Sequence, residues 1–236
     1  MSSLLRGVPI RLQGPLQAWG GAAVGDNRPT LAFPTRSGVL GLVAACLGIR
    51  RTEATRLLAL SDGTRVHVRV DATGTPIVDA QTIQDNPNAS EARKTILSQR
   101  TYLCDASFAV VVVPGPKTAI ETIAQALKYP VFAPFLGRRS CVPSSPLWIA
   151  DSVSADDPIA LFASIPREPE DISTPSREFQ NFYLDVSAHP KALRRIPLRD
   201  DFTGPLSRQW SERFALHVRV DAPPSRFEPS WETQCT

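Results

Sequence analysis

Thr30-Leu-Ala-Phe-Pro-Thr-Arg-Ser-Gly-Val-Leu-Gly-Leu-Val-Ala-Ala-Cys-Leu-Gly48 changes at Pro34 from an extended segment to a helix. Phe33 precedes a proline and is pushed out of the α region. Thr35 and Ser37 offer hydroxyl oxygens where the first helical amides need caps. From Gly38 to Leu47 the pattern is apolar almost all round, as in a buried helix. Gly38, Gly41, Ala45 and Gly48 share one smooth face beside Val39, Leu42, Val43 and Cys46. Two readings fit the helix start. One is a capped core helix held close to a sheet. The other is an anion site made of free N–H groups, the two hydroxyls and Arg36.

At 236 residues the chain has room for one large domain or two small ones. Its 42% hydrophobic and 21% charged residues are ordinary for a globular protein. A net charge of +3 permits a polyanionic partner without demanding one. Lys occurs only at 94, 117, 128 and 191, so Arg, whose fork suits phosphate, dominates the cations. Cys46, Cys104, Cys141 and Cys235 show no zinc spacing and no disulfide framework, so no metal or cofactor is expected. No signal peptide or membrane-length apolar run is visible, so a cytoplasmic protein without a membrane partner is expected.

Outward from the opening stretch, residues 4–13 read as a strand and 52–60 as a short helix capped by Thr52. Residues 64–71 alternate strictly, Val66, Val68 and Val70 against Arg65, His67 and Arg69, as a half-exposed strand does. The hexapeptide His-Val-Arg-Val-Asp-Ala recurs at 67–72 and 217–222 without wider similarity, which indicates parallel strand patterning and not duplication. Residues 79–101 are polar, with loop signals at Asp85–Ser90, and form an excursion from the domain body. Tyr102–Val113 reads as one apolar central strand, and Thr118–Lys128 as an amphipathic helix. Leu147–Ala150 reads as a short strand, 164–180 as irregular, Asn181–Val186 and Arg213–Val220 as strands, and the tail after Pro224 as loose. The order predicts an α+β fold. A ferredoxin-like βαββαβ core over residues 1–150 is the economical topology, and 151–236 would add strands or a small lobe.

No nucleophile elbow, zinc-binding helix or phosphate loop occurs. A metal-free ribonuclease would draw on Tyr183, His189, Lys191 or His67, but nothing in the sequence brings them together. Nucleic-acid binding has wider support. Arg36 opens a helix, Arg138 and Arg139 follow Gly137, and Arg194, Arg195 and Arg199 cluster later. Trp19 and Phe33 are candidates for base stacking or for the core.

Four motifs occur in order across residues 12–141: Leu12-Gln-Gly-Pro-Leu-Gln-Ala-Trp-Gly20, Phe33-Pro-Thr-Arg-Ser-Gly-Val-Leu-Gly-Leu42, Tyr102-Leu-Cys-Asp-Ala-Ser-Phe108 and Phe135-Leu-Gly-Arg-Arg-Ser-Cys141. Together they resemble the CasD family, a subunit of the type I-E CRISPR Cascade complex. The resemblance implies a repeat-associated protein with a ferredoxin-like, RNA-recognition-type core and a thumb at about residues 79–101. It implies a non-catalytic subunit that holds the 5′ handle of the CRISPR RNA and caps one end of the complex. Its partners would be that RNA and the backbone and large subunits, with target DNA met only through the complex. Related subunits of another subtype cut repeat RNA, so a metal-independent endoribonuclease is the alternative. The expected RNA-binding residues are Trp19, Thr35, Arg36, Ser37 and Gly38, a second loop of Gly137, Arg138, Arg139 and Ser140, and Arg100 from the thumb.

Overall fold

The computed structural model describes residues 4–21, 25–84, 95–167, 179–204 and 209–221. The loop signals at Asp85–Ser90, the tail after Pro224 and Cys235 lie outside them. The strands are β1 (Leu5–Gln13), β2 (Leu16–Gln17), β3 (Asn27–Arg28), β4 (Arg65–Ala72), β5 (Thr75–Gln84), β6 (Thr95–Cys104), β7 (Ser107–Val113), β8 (Val153–Ala155), β9 (Phe179–Leu184), β10 (Ala192–Gly204) and β11 (Gln209–Asp221). The helices are α1 (Arg36–Cys46), α2 (Ala54–Ser61) and α3 (Ile120–Lys128).

Seven strands form one sheet in the order β10-β11-β9-β4-β7-β1-β8, antiparallel throughout. Within it, β4-β7-β1-β8 has the expected βαββαβ connectivity. α1 and α2 lie between β1 and β4, and α3 between β7 and β8. The strand completing this core lies beyond residue 150, and β9, β11 and β10 extend the same sheet past β4. The boundary expected at 150 therefore does not separate two sheets.

β7 is buried along its whole length, because both faces of the sheet are covered. Phe108, Val110 and Val112 join β1, β4 and the helices in the larger core. Ala109, Val111 and Val113 face a second layer made by Leu161, Phe162 and Ile165 around the 3-10 turn Ala160–Phe162. That layer corrects the half-exposed reading of β4, where His67 and Arg69 are buried. Arg69 donates to the carbonyls of Phe162, Ile165 and Pro166 and pairs with Asp71 at 2.6 Å, so it pins the layer to the sheet.

His67 accepts the Asp185 amide at Nδ1 (3.3 Å), which puts its proton on Nε2, an atom buried without a hydrogen-bond partner among the described residues. Burial, aided by Arg65, pushes its pKa down to about 3. The unfolded chain binds this proton near pH 6.5 and the folded chain does not, so stability is lost as pH falls between those values. Between pH 6.5 and 5 the expected loss is about 2 kcal/mol. Urea titrations of wild type and His67→Phe measure it, and the variant should have the flatter acid limb.

The expected single strand Tyr102–Val113 is two strands in different sheets. Asp105, at φ 55°, turns the chain between β6 and β7, a left-handed conformation that Asp tolerates. The described parts of the polar excursion are strands: β5 and β6 pair over ten residues each, from Thr75 opposite Cys104 to Gln84 opposite Thr95. The other edge of β6 receives β2 at Leu103 and Cys104 and, in parallel, β3 at Gln99 and Arg100. Such a ribbon is marginal alone, and these two short strands anchor its root. α2 begins at Ala54 with Glu53, not Thr52, at its cap position, and Leu147–Ala150 contributes one bridge, Trp148 to Ile10.

Candidate nucleic-acid interface

The start of α1 forms as its sequence suggests: Thr35 Oγ1 accepts the Gly38 amide at 3.2 Å. Its anion, however, comes from the protein. Asp200 on β10 accepts the Arg36 amide at 2.8 Å and sits where a phosphate would bind. Arg36 itself is 6% exposed. Its guanidinium donates to the Ser61 and Thr64 carbonyls (2.5 and 3.0 Å from Nη2), and Nε lies 3.5 Å from Asp185. Arg213 joins Asp200 (2.6 Å) to Asp185 (3.4 Å). Burial pushes the Asp185 carboxyl up, while Arg213, Arg36 and the Val66 amide pull it back. Of the residues expected to hold phosphate here, the Thr35 cap, the Gly38 amide and the Arg36 guanidinium are engaged inside the fold. Ser37 Oγ lies 3.4 Å from Thr35 Oγ1.

Trp19 is likewise core, at 1% exposure. Its ring packs on Gly38, where a Cβ would come within 3.1 Å of it. Its indole N–H donates to Gln17 (2.9 Å), whose amide nitrogen donates to the Ala106 carbonyl (2.6 Å). It has no face free for a base. Phe33 also turns inward, stacked at 3.7 Å on Tyr183.

The remaining expected residues do converge, at the root of the β5–β6 hairpin. Gly137 carries φ +90° and brings its loop against the Ala18 carbonyl. The loop closes through Leu136 N–H to Cys141 O (2.7 Å) and Cys141 N–H to Arg138 O (2.8 Å). Arg138 then donates to the carbonyls of Thr101 (3.1 Å) and Arg28 (2.9 Å), its guanidinium 4.5 Å above the Tyr102 ring. Arg139 and Ser140 are exposed beside it. The parallel pairing of β3 with β6 places Arg28 opposite Arg100. Among the described residues Arg28, Arg100 and Arg139 have no carboxylate partner. Arg28 and Tyr102 escaped the sequence reading, because only the β3–β6 pairing brings them to this loop.

The candidate catalytic side chains do not form a centre. His67 faces the second layer, whereas Tyr183 lies on the helix side of the sheet, stacked 5.1 Å from His217. His189 contacts Asp157 at 3.1 Å. Arg194 and Arg195, adjacent on β10, pair with His217 and Leu216 and so point to opposite faces. Among the described residues no group of His, Cys, Asp or Glu is arranged to hold a metal, and no helix is long and apolar enough to cross a membrane.

A βαββαβ sheet with helices on one face and a projecting β5–β6 hairpin defines an α+β class of protein. The family model described as CRISPR-associated protein (Cas_Cas5) matches residues 7–225, and the chain belongs to this Cas5 family. It is 38% identical over 165 residues to the CRISPR system Cascade subunit CasD of Escherichia coli (strain K12), an alignment covering 64% of this chain and 74% of the relative. A chain of a solved CRISPR RNA-guided surveillance complex matches at TM-score 0.65 and 28% identity, covering 93% of this chain and 95% of that one. A crystal structure of a Cas protein matches at TM-score 0.66 and 32% identity, covering 91% of this chain and 95% of that one.

Proposed function

We propose that this protein is the Cascade subunit that grips the 5′ handle of the CRISPR RNA and caps one end of the complex. It would work in the cytoplasm, beside the backbone and large subunits, and meet target DNA only through the assembly. The observation that carries this reading is the group of Arg28, Arg100 and Arg139 around the Arg138–Tyr102 stack, at the root of the thumb hairpin. Guanidiniums without carboxylate partners neutralise phosphates and release counterions, which positions a strand without reading its sequence. Native purification followed by sequencing of the bound RNA tests the reading: reads sharing one constant 5′ segment are expected, and their absence would count against it.

Within this site Arg139 acts on phosphate, while Arg138 shapes the loop. Arg139→Ala should weaken binding of CRISPR RNA and reduce the slope of log K against log salt by about 0.7, one phosphate contact. A salt titration by fluorescence anisotropy reads both, and an unchanged slope removes Arg139 from the interface.

Within the same proposal the subunit holds RNA without cutting it. Burial raises the Tyr183 phenol, and burial together with Arg194 and Arg219 lowers His217. At neutral pH the phenol therefore stays protonated and the imidazole neutral. Repeat RNA incubated with the protein in chelator should stay intact on a denaturing gel. Cleavage that disappears in Tyr183→Phe would establish the endoribonuclease reading instead.

A further inference from the structure

On the sheet face opposite the helices, a cleft of about 510 Å³ is lined by Arg65, Asp185, Val186, Ser187, Arg195 and Phe214. Pairing fixes this side: Arg65 opposes Val113 and Arg195 opposes Leu216, and both apolar partners belong to the second layer. Asp185 is its only carboxylate among the described residues, and that carboxylate is offset by Arg213 and Arg36 and accepts the Val66 amide. Arg65 and Arg195, by contrast, have no carboxylate partner among the described residues. The Arg195 guanidinium lies 4.3 Å over the ring of Phe214, which remains 44% exposed. Ser187 is exposed and adds a hydroxyl donor. The cleft thus combines two uncompensated cations with a ready stacking surface.

We propose that this cleft is a second RNA site, taking one nucleotide of a single strand. The phosphate would sit between Arg65 and Arg195, and the base on the Arg195–Phe214 stack. An acidic peptide would use the two guanidiniums but leave the ring in water, whereas a nucleotide uses both. The cleft is lined by Arg65 at the start of β4, whereas the Gly137 loop packs on Ala18 and reaches the Thr101 and Arg28 carbonyls, and the two share no residue. The inference rests on the RNA-holding reading and extends it: the strand is held at two separate places.

The test uses the full chain, the assembled complex and a fluorescently labelled CRISPR RNA from the same locus. Arg65→Ala with Arg195→Ala should lower affinity about tenfold and reduce the salt slope by about 0.7, one phosphate contact. Phe214→Ala should lower affinity about fivefold with the slope unchanged, because stacking releases no counterions. Unchanged affinity and slope in these variants, while Arg139→Ala weakens binding, would overturn the second site and leave the first standing. Unchanged RNA affinity with loss of assembly would also overturn it and assign the cleft to an acidic protein surface. Weaker binding in the cleft variants but not in Arg139→Ala would support the cleft and remove the Gly137 loop. Failure of the wild type to bind any RNA would overturn both.

Discussion

Arg36→Ala is expected to destabilise the fold by about 3–5 kcal/mol, the cost of breaking a buried ion network by removing one partner. The guanidinium satisfies the carbonyls of Ser61, at the end of α2, and Thr64, before β4, and shares Asp185 with Arg213. Its loss strands those carbonyls in the interior and leaves two carboxylates, Asp185 and Asp200, facing Arg213 alone. Arg36→Lys should recover only part, since one ammonium cannot span carbonyls that a planar fork reaches together. Urea denaturation reads the effect as a shifted midpoint at unchanged slope. A midpoint equal to wild type with lost RNA affinity would return the helix start to the RNA site.

Gly137→Ala is the second large effect, expected at about 3 kcal/mol from left-handed strain and overpacking together. A Cβ there would lie 1.6 Å from the Ala18 carbonyl oxygen, a backbone atom that no rotamer change can move. The loop would have to lift, taking Arg138 from the Thr101 and Arg28 carbonyls and from the Tyr102 ring. RNA binding should therefore fall along with stability, unlike in Arg139→Ala, where only binding falls. Thermal melts paired with anisotropy separate the two variants. Normal melting of Gly137→Ala would show that the loop does not need its close approach to Ala18.

Much of this was legible in the chain. Pro34 with Thr35 marked the helix start, and Thr35 caps Gly38 as its hydroxyl suggests. The apolar run to Leu47 announced a buried helix, although on the glycine face Gly41 is exposed while Gly38 packs on Trp19 and Gly48 on Val131. Strand order in the core followed from element order, because βαββαβ connectivity leaves few ways to cover one sheet face. The polar excursion marked a segment apart from the main sheet, but the ten-residue pairing of β5 with β6 was hidden, since exposed strands carry no apolar alternation to read.

The sequence by itself determined the local matters: where helix α1 starts and which segments are apolar. Only the tertiary structure decided which anion fills the helix start. Asp200 lies 164 residues from Arg36 and reaches it because β10 extends the sheet alongside α1. The two copies of His-Val-Arg-Val-Asp-Ala make the same point. Val68 of one copy and His217 of the other both oppose Tyr183 on β9, so equivalent residues face opposite sides of the sheet. His67 is thus sealed under the second layer, while His217 joins the aromatic stack on the helix side. Side chains alternate with a period of two, so a shift of one residue in pairing reverses every face. That register is set by β9, a strand remote in sequence from the first copy, and no local pattern encodes it.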